Sequence, residues 1–169
     1  MKKIFILSTT LILSILACIL ISCSEKKIYS NNYIPSESND CVLLYEGEIV
    51  TSKNVDILYI EENGSCFSMI PVEELLEHLG FDVKWTSNFC MKISNGKDKW
   101  KLKITEDIVL MKNTKKEYIN DVSGPTYFYA ESKLLILNET ATGVLLSELG
   151  IPCYIQANAE NQTVEIVQR

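Results

Sequence analysis

Ile70-Pro71-Val72-Glu73-Glu74-Leu75-Leu76-Glu77-His78-Leu79-Gly80-Phe81-Asp82-Val83-Lys84-Trp85 changes its hydrophobic period partway along. Val72, Leu75, Leu76 and Leu79 stand at i, i+3, i+4 and i+7, so a helix over 71–79 gathers all four on one face. Pro71 suits the first turn, where the N–H it lacks has no partner anyway. Glu73 and Glu74 put negative charge at the positive end of the helix dipole. Gly80 adopts the left-handed conformation that ends a helix without a steric penalty. Beyond it Phe81, Val83 and Trp85 alternate with Asp82 and Lys84, which is strand spacing with one apolar face.

Downstream, Met91-Lys92-Ile93 reads as the returning partner of that strand. Trp100, Leu102 and Ile104 alternate with Lys99, Lys101 and Lys103, a second amphipathic strand that Ile108 to Met111 follows as a pairing partner. Upstream, Val42, Leu44, Ile49 and Val50 flank the turn residues Glu46-Gly47-Glu48 and predict a short hairpin. Ile57 to Ile60 is a brief apolar run closed by the turn Glu61-Glu62-Asn63-Gly64, with another strand around Cys66 to Ile70. Asn120 to Pro125 carries Ser123-Gly124-Pro125 and reads as a loop near the midpoint.

A shift of 70 positions lays Tyr59 on Tyr129, Glu61 on Glu131, Leu75 on Leu145, Leu76 on Leu146, Leu79 on Leu149 and Gly80 on Gly150. Four of these six identities form the apolar face and terminator of a helix. The second helix, from about Thr140 to Leu149, is capped by Asn138 and stopped by Gly150 and Pro152. Tyr154 to Ala157 and Thr163 to Val167 close the chain as a hairpin, with Val164 and Ile166 turned inward. The expected fold class is α+β: two strand–helix–hairpin repeats, about 41–105 and 106–169, sharing one core with an antiparallel sheet wrapped around the helices.

Three stretches resemble the copper amine oxidase-like N-terminal domain family: Val42 to Glu48, Ile70 to Trp85, and Leu145 to Pro152 continuing through Thr163 to Ile166. The resemblance covers most of 41–169. It implies a module of exported bacterial proteins that stands as a stalk apart from copper and quinone chemistry, and so implies no copper. Glu73 departs from the arginine common there, and the second copy lacks the proline before its helix.

The N-terminal end reads as an export leader. Lys2 and Lys3 precede an apolar run from Ile4 to Ile21, and Leu20-Ile21-Ser22-Cys23 resembles a lipobox. That resemblance implies a signal peptide over 1–22, cleavage before Cys23 and a diacylglyceryl group on its thiol, fixing the protein to a membrane on the extracytoplasmic side. Ile15-Leu16-Ala17-Cys18 offers Cys18 as the alternative attachment site, and an uncleaved membrane anchor or a simple secretory signal are the competing readings. The 23–40 segment, rich in serine and asparagine, reads as a flexible tether; the 17 residues of random coil after Cys23 span about 20–25 Å.

The chain's net charge is −6; without Lys2 and Lys3, 14 basic residues face 22 acidic ones and it becomes −8. Such acidity disfavours a nucleic-acid partner. Besides Cys18 and Cys23 there are four cysteines, Cys41, Cys66, Cys90 and Cys153, an even number suited to bridges in an oxidising compartment and equally to separate buried thiols. His78 is the single histidine, so neither a copper site nor a zinc site has enough ligands, and no cofactor is expected.

Chemistry is sparse elsewhere. Adjacent carboxylates Glu61-Glu62 and Glu73-Glu74 point apart and read as turn and helix-start charges, leaving a small polymer hydrolase as the alternative function. Lys99, Lys101 and Lys103 on one strand face, with Trp100 among them, are the candidate ligand contacts, for anionic wall polymer or lipid headgroups; a solvated face that blunts an edge strand is the plainer account. The expected function is a non-enzymatic, membrane-tethered envelope module for binding or assembly, with an envelope polymer or an exported protein as partner; inhibition or chaperoning of such a protein is a further alternative.

Overall fold

The computed structural model describes residues 29–30, 41–60, 65–105, 107–119, 126–129 and 132–169. In chain order, β1 (Tyr29–Ser30), β2 (Val42–Tyr45), β3 (Glu48–Thr51), β4 (Asp56–Ile60) and β5 (Ser65–Pro71) precede helix α1 (Val72–His78). A meander follows: β6 (Asp82–Ser87), β7 (Cys90–Ser94), β8 (Lys99–Ile104), β9 (Ile108–Lys112) and β10 (Lys115–Tyr118). Then β11 (Thr126–Tyr129) and β12 (Leu134–Asn138) lead into helix α2 (Glu139–Glu148), and β13 (Cys153–Asn158) and β14 (Thr163–Gln168) close the chain. The fold is mixed α+β, mostly strand, with two short helices and three sheets.

The helix ends decide this arrangement. Gly80 has φ +80° and donates its N–H to Glu77 O at 3.0 Å, while Phe81 N–H reaches Leu76 O at 3.0 Å. Gly150 has φ +89° and repeats the pattern, bonding Ser147 O at 3.0 Å as Ile151 N–H reaches Leu146 O at 2.8 Å. Both are Schellman closures, which satisfy the last carbonyls and turn the chain sharply. The starts differ. Asn138 Oδ1 accepts from Ala141 N–H at 2.9 Å, a side-chain cap for α2. Pro71 closes β5 and occupies the N-cap of α1 rather than its first turn, with no side-chain cap.

Because each helix redirects the chain, the strand before it and the strand after it join different sheets. The orders are β1-β11-β12-β5-β4, β10-β9-β8-β7-β6 and β13-β14-β2-β3. This corrects the expectation of an antiparallel sheet wrapped around the helices: there are three sheets, and β14 pairs with β2 in parallel, Val164 opposite Leu43. A parallel pair needs a long crossover, and here the whole domain supplies it. Ile104 pairs with Ile108 across the β8–β9 hairpin, where Thr105 N–H donates to Asp107 O at 2.8 Å. Within the 23–40 tether, Tyr29–Ser30 pair with Tyr127 and Phe128 and cover the open edge of β11, an edge that otherwise leaves backbone groups unpaired. The Glu61–Gly64 turn and the Asn120–Pro125 loop lie outside the described residues.

One continuous core joins the three sheets. Leu75 and Leu76 of α1, Leu145 and Leu146 of α2, Met91, Ile93 and Leu102 of the meander, and Val164 and Ile166 of β14 are all buried in it. Each such side chain removed from water contributes about 1.5–3 kcal/mol. Two polar ties fix the helices to the sheets: Trp85 Nε1 donates to Glu73 Oε2 at 2.8 Å, and Ser68 N–H donates to Glu139 Oε2 at 2.6 Å.

Candidate functional site

The meander aligns lysines from several strands. Cα pairing sets Lys84 opposite Lys92, Lys92 opposite Lys101, Lys101 opposite Met111 and Met111 opposite Lys116, one line across all five strands. Lys99 and Lys103 flank Lys101 on the same face of β8, because that strand strictly alternates exposed with buried residues. Six lysines thus share the outer face of the sheet, all exposed, and none forms an ion pair among the described residues. Lysines directly opposite one another repel and destabilise a sheet.

Part of this face is recessed as a groove. Asp82, Lys84, Lys92, Lys99, Lys101 and Met111 line a groove of about 500 Å³, with Asp82 its single carboxylate. Ser94 and Asn113 add a hydroxyl and an amide.

Trp100 also lines the groove but presents little of itself there. It lies in the floor strand but is only 4% exposed, because alternation turns its ring to the inner side of the sheet. There Phe81 meets it edge-on at 6.1 Å and Lys112 Nζ sits 4.9 Å from the ring centroid. Of the candidate contacts, Lys99, Lys101 and the nearly buried Trp100 line the groove, while Lys103 shares the strand face of Lys101 outside that lining. Lys97 falls in the β7–β8 turn, its N–H bonded to Asn95 Oδ1 at 3.2 Å.

The inner side handles lysine differently. Lys112 pairs with Asp98 at 3.0 Å; Lys115 pairs with Glu148 at 2.7 Å and Glu117 at 3.8 Å. Glu148 holds the Lys115 ammonium above its ordinary range, chiefly by its hydrogen bond. Lys115, Glu117 and Glu148 line a smaller cavity of about 220 Å³.

The other candidates are dispersed. Glu73 is occupied by the Trp85 indole, and its neighbour Glu74 is half-buried, with burial raising its carboxyl above the usual range. His78 is exposed at the end of α1, its ring edge-on to Tyr45 at 6.2 Å. Cys41 is buried, its thiol donating to Gln162 Oε1 at 3.9 Å; Cys66 is exposed; Cys90 and Cys153 are partly buried; none of the four is bridged to another. Among the described residues no three His, Cys, Asp or Glu side chains converge to hold a metal ion, and no helix is long and apolar enough to cross a membrane. Cys18, Cys23 and Glu61-Glu62 lie outside the described residues.

Sequence reading missed Lys84, Lys92 and Lys116 as members of the site. Lys84 and Lys92 each alternate with core residues on their own strand, so laying the two hairpins in register was the signal that groups them with Lys101. Lys116 had no such signal, since β10 carries no apolar alternation. Compared with known protein families, curated proteins and solved structures, the chain matches none.

Proposed function

We propose that this chain is an exported, lipid-anchored, non-enzymatic binding module of the cell envelope, attached at Cys23 with Cys18 as the alternative. The observation that carries the binding reading is the line Lys84, Lys92 and Lys101, three opposed cations that no described carboxylate neutralises. Such a line costs stability. A cationic face on a chain of net charge −6 suits an anionic partner and steers it to one side of the domain. The tethering reading rests on the apolar run that ends at Leu20-Ile21-Ser22-Cys23.

The likeness to the copper amine oxidase-like N-terminal domain family, with two related units around one core, is part of the same proposal. It is supported by the matching closures at Gly80 and Gly150. It is supported also by the antiparallel pairing of β5 with β12, the strands that enter the two helices. On this reading β8 to β10 are an addition to the first unit, and the groove is built largely from that addition.

The alternative, a polymer hydrolase, finds its best carboxylate pair in Glu117 and Glu148. Lys115 stands between them as an ion bridge. Hydrolysis needs two carboxyl groups free to flank a substrate bond, and the ion pairs with Lys115 occupy both.

Metabolic fatty-acid labelling of the full chain tests the anchor. Wild type and Cys18→Ser are expected to take up label and Cys23→Ser to lose it. Loss in Cys18→Ser alone moves the attachment to Cys18, and an unlabelled wild-type protein free in the medium overturns the proposal.

A further inference from the structure

We infer that the groove on the outer face of the meander holds a linear polymer of phosphodiesters joined by short polyol spacers, lying across the strands along Lys84, Lys92 and Lys101. This deepens the binding reading above and rests on it.

Charge selects an anion, and the shape of the groove selects a thin chain. A planar bilayer meets the rims of a groove but not its floor, whereas the groove of about 500 Å³ admits a single strand of polymer. Spacing selects repeating charge. Cations on neighbouring strands stand about 5 Å apart at the backbone, and Lys99, Lys101 and Lys103 follow one another about every 7 Å along β8. Flexible lysine stems bring their ammonium groups to a phosphate as point charges.

The chemistry between the charges points the same way. Met111 interrupts the line between Lys101 and Lys116, offering an apolar contact to the carbon spacer of a polyol. Ser94 and Asn113 offer hydrogen bonds to its hydroxyls. Single-stranded nucleic acid also repeats phosphodiesters, but its capture relies on aromatic stacking platforms. Here Trp100, although it touches the groove, is only 4% exposed and offers no open ring face for a base to stack on.

The test uses the full chain in neutral detergent micelles and a glycerol-phosphate oligomer long enough to cross the five strands. Lysine acetylation read by mass spectrometry reports which amines the probe covers. The oligomer is expected to protect Lys84, Lys92 and Lys101 but not the exposed Lys53 and Lys133. Lys92→Gln combined with Lys101→Gln is expected to weaken binding about 25-fold, about fivefold for each lysine removed. Equal protection by poly-glutamate overturns the phosphodiester assignment. Protection by anionic phospholipid doped into the micelles, with none by the oligomer, assigns the face to membrane and overturns the inference. Protection by no probe overturns it as well, while the fatty-acid label decides the anchor separately.

Discussion

Lys112 and Lys115 turn toward the side of the meander that carries Trp100 and Leu110, and each finds a carboxylate: Asp98 at 3.0 Å for one, Glu148 at 2.7 Å for the other. Lys84, Lys92 and Lys101 emerge from the opposite side of the same sheet, face one another, and find none among the described residues. The sequence is not short of acids, with 22 in the chain. The contrast teaches that partners are provided where a lysine serves the fold and withheld where lysines line the groove. Pairing on the inner side ties β9 to the β7–β8 turn and β10 to α2. Repulsion on the outer side has no structural return, and on the proposed function an anionic ligand relieves it.

The largest effect comes from breaking the inner side. Leu102 is fully buried directly behind the groove, and Leu102→Ala is expected to cost about 2–5 kcal/mol in urea unfolding, since the cavity it leaves cannot be filled by rigid strands. A loss as small as that of an exposed residue would show that the meander is not part of the core.

The helix closure that launches the meander is the next lever. Gly80→Ala forces a side chain into a left-handed conformation, at about 1–2 kcal/mol, although open space surrounds the new methyl group. Gly150→Ala is expected to cost the same amount. Unequal costs would separate the two helix ends that the bonding pattern makes alike.

Those closures and the β8 alternation were the most legible parts of the sequence, because helix termination and strand facing are set by neighbouring residues. Asn138 as a cap and Val164 and Ile166 as inward residues were legible for the same reason. Sheet membership was not. Which strands pair depends on where each helix sends the chain, so the parallel β14–β2 contact and the split into three sheets had no local trace. The site suffered similarly: three lysines on one strand could be grouped by spacing, but Lys84 and Lys92 belong with them only through inter-strand register. Alternation, legible in the sequence, turns Trp100 inward between Lys99 and Lys101, while its place in the lining of the same groove is seen only in the fold.

Smaller effects sharpen the comparison further. Lys101→Gln relieves repulsion from Lys92 and is expected to raise stability by about 0.2–1 kcal/mol. A destabilised variant would mean that Lys101 holds the sheet together. Glu74 supplies a carboxylate counterpart, since burial raises its folded-state pKa. Its ionisation therefore penalises the fold fully above the folded value, and the penalty fades as pH falls through that value toward the unfolded one. Glu74→Gln is expected to be slightly more stable than wild type at neutral pH, with the difference vanishing on acidification. A difference that instead grows on acidification contradicts the sign.

Calorimetric titration of the full chain with a glycerol-phosphate oligomer, wild type beside the Lys92→Gln and Lys101→Gln double variant, bears on the account most directly. It predicts saturable binding by wild type, and about 25-fold weaker binding by a variant at least as stable. Equal affinity in the two proteins, or a variant that binds poorly only because it unfolds, would contradict it.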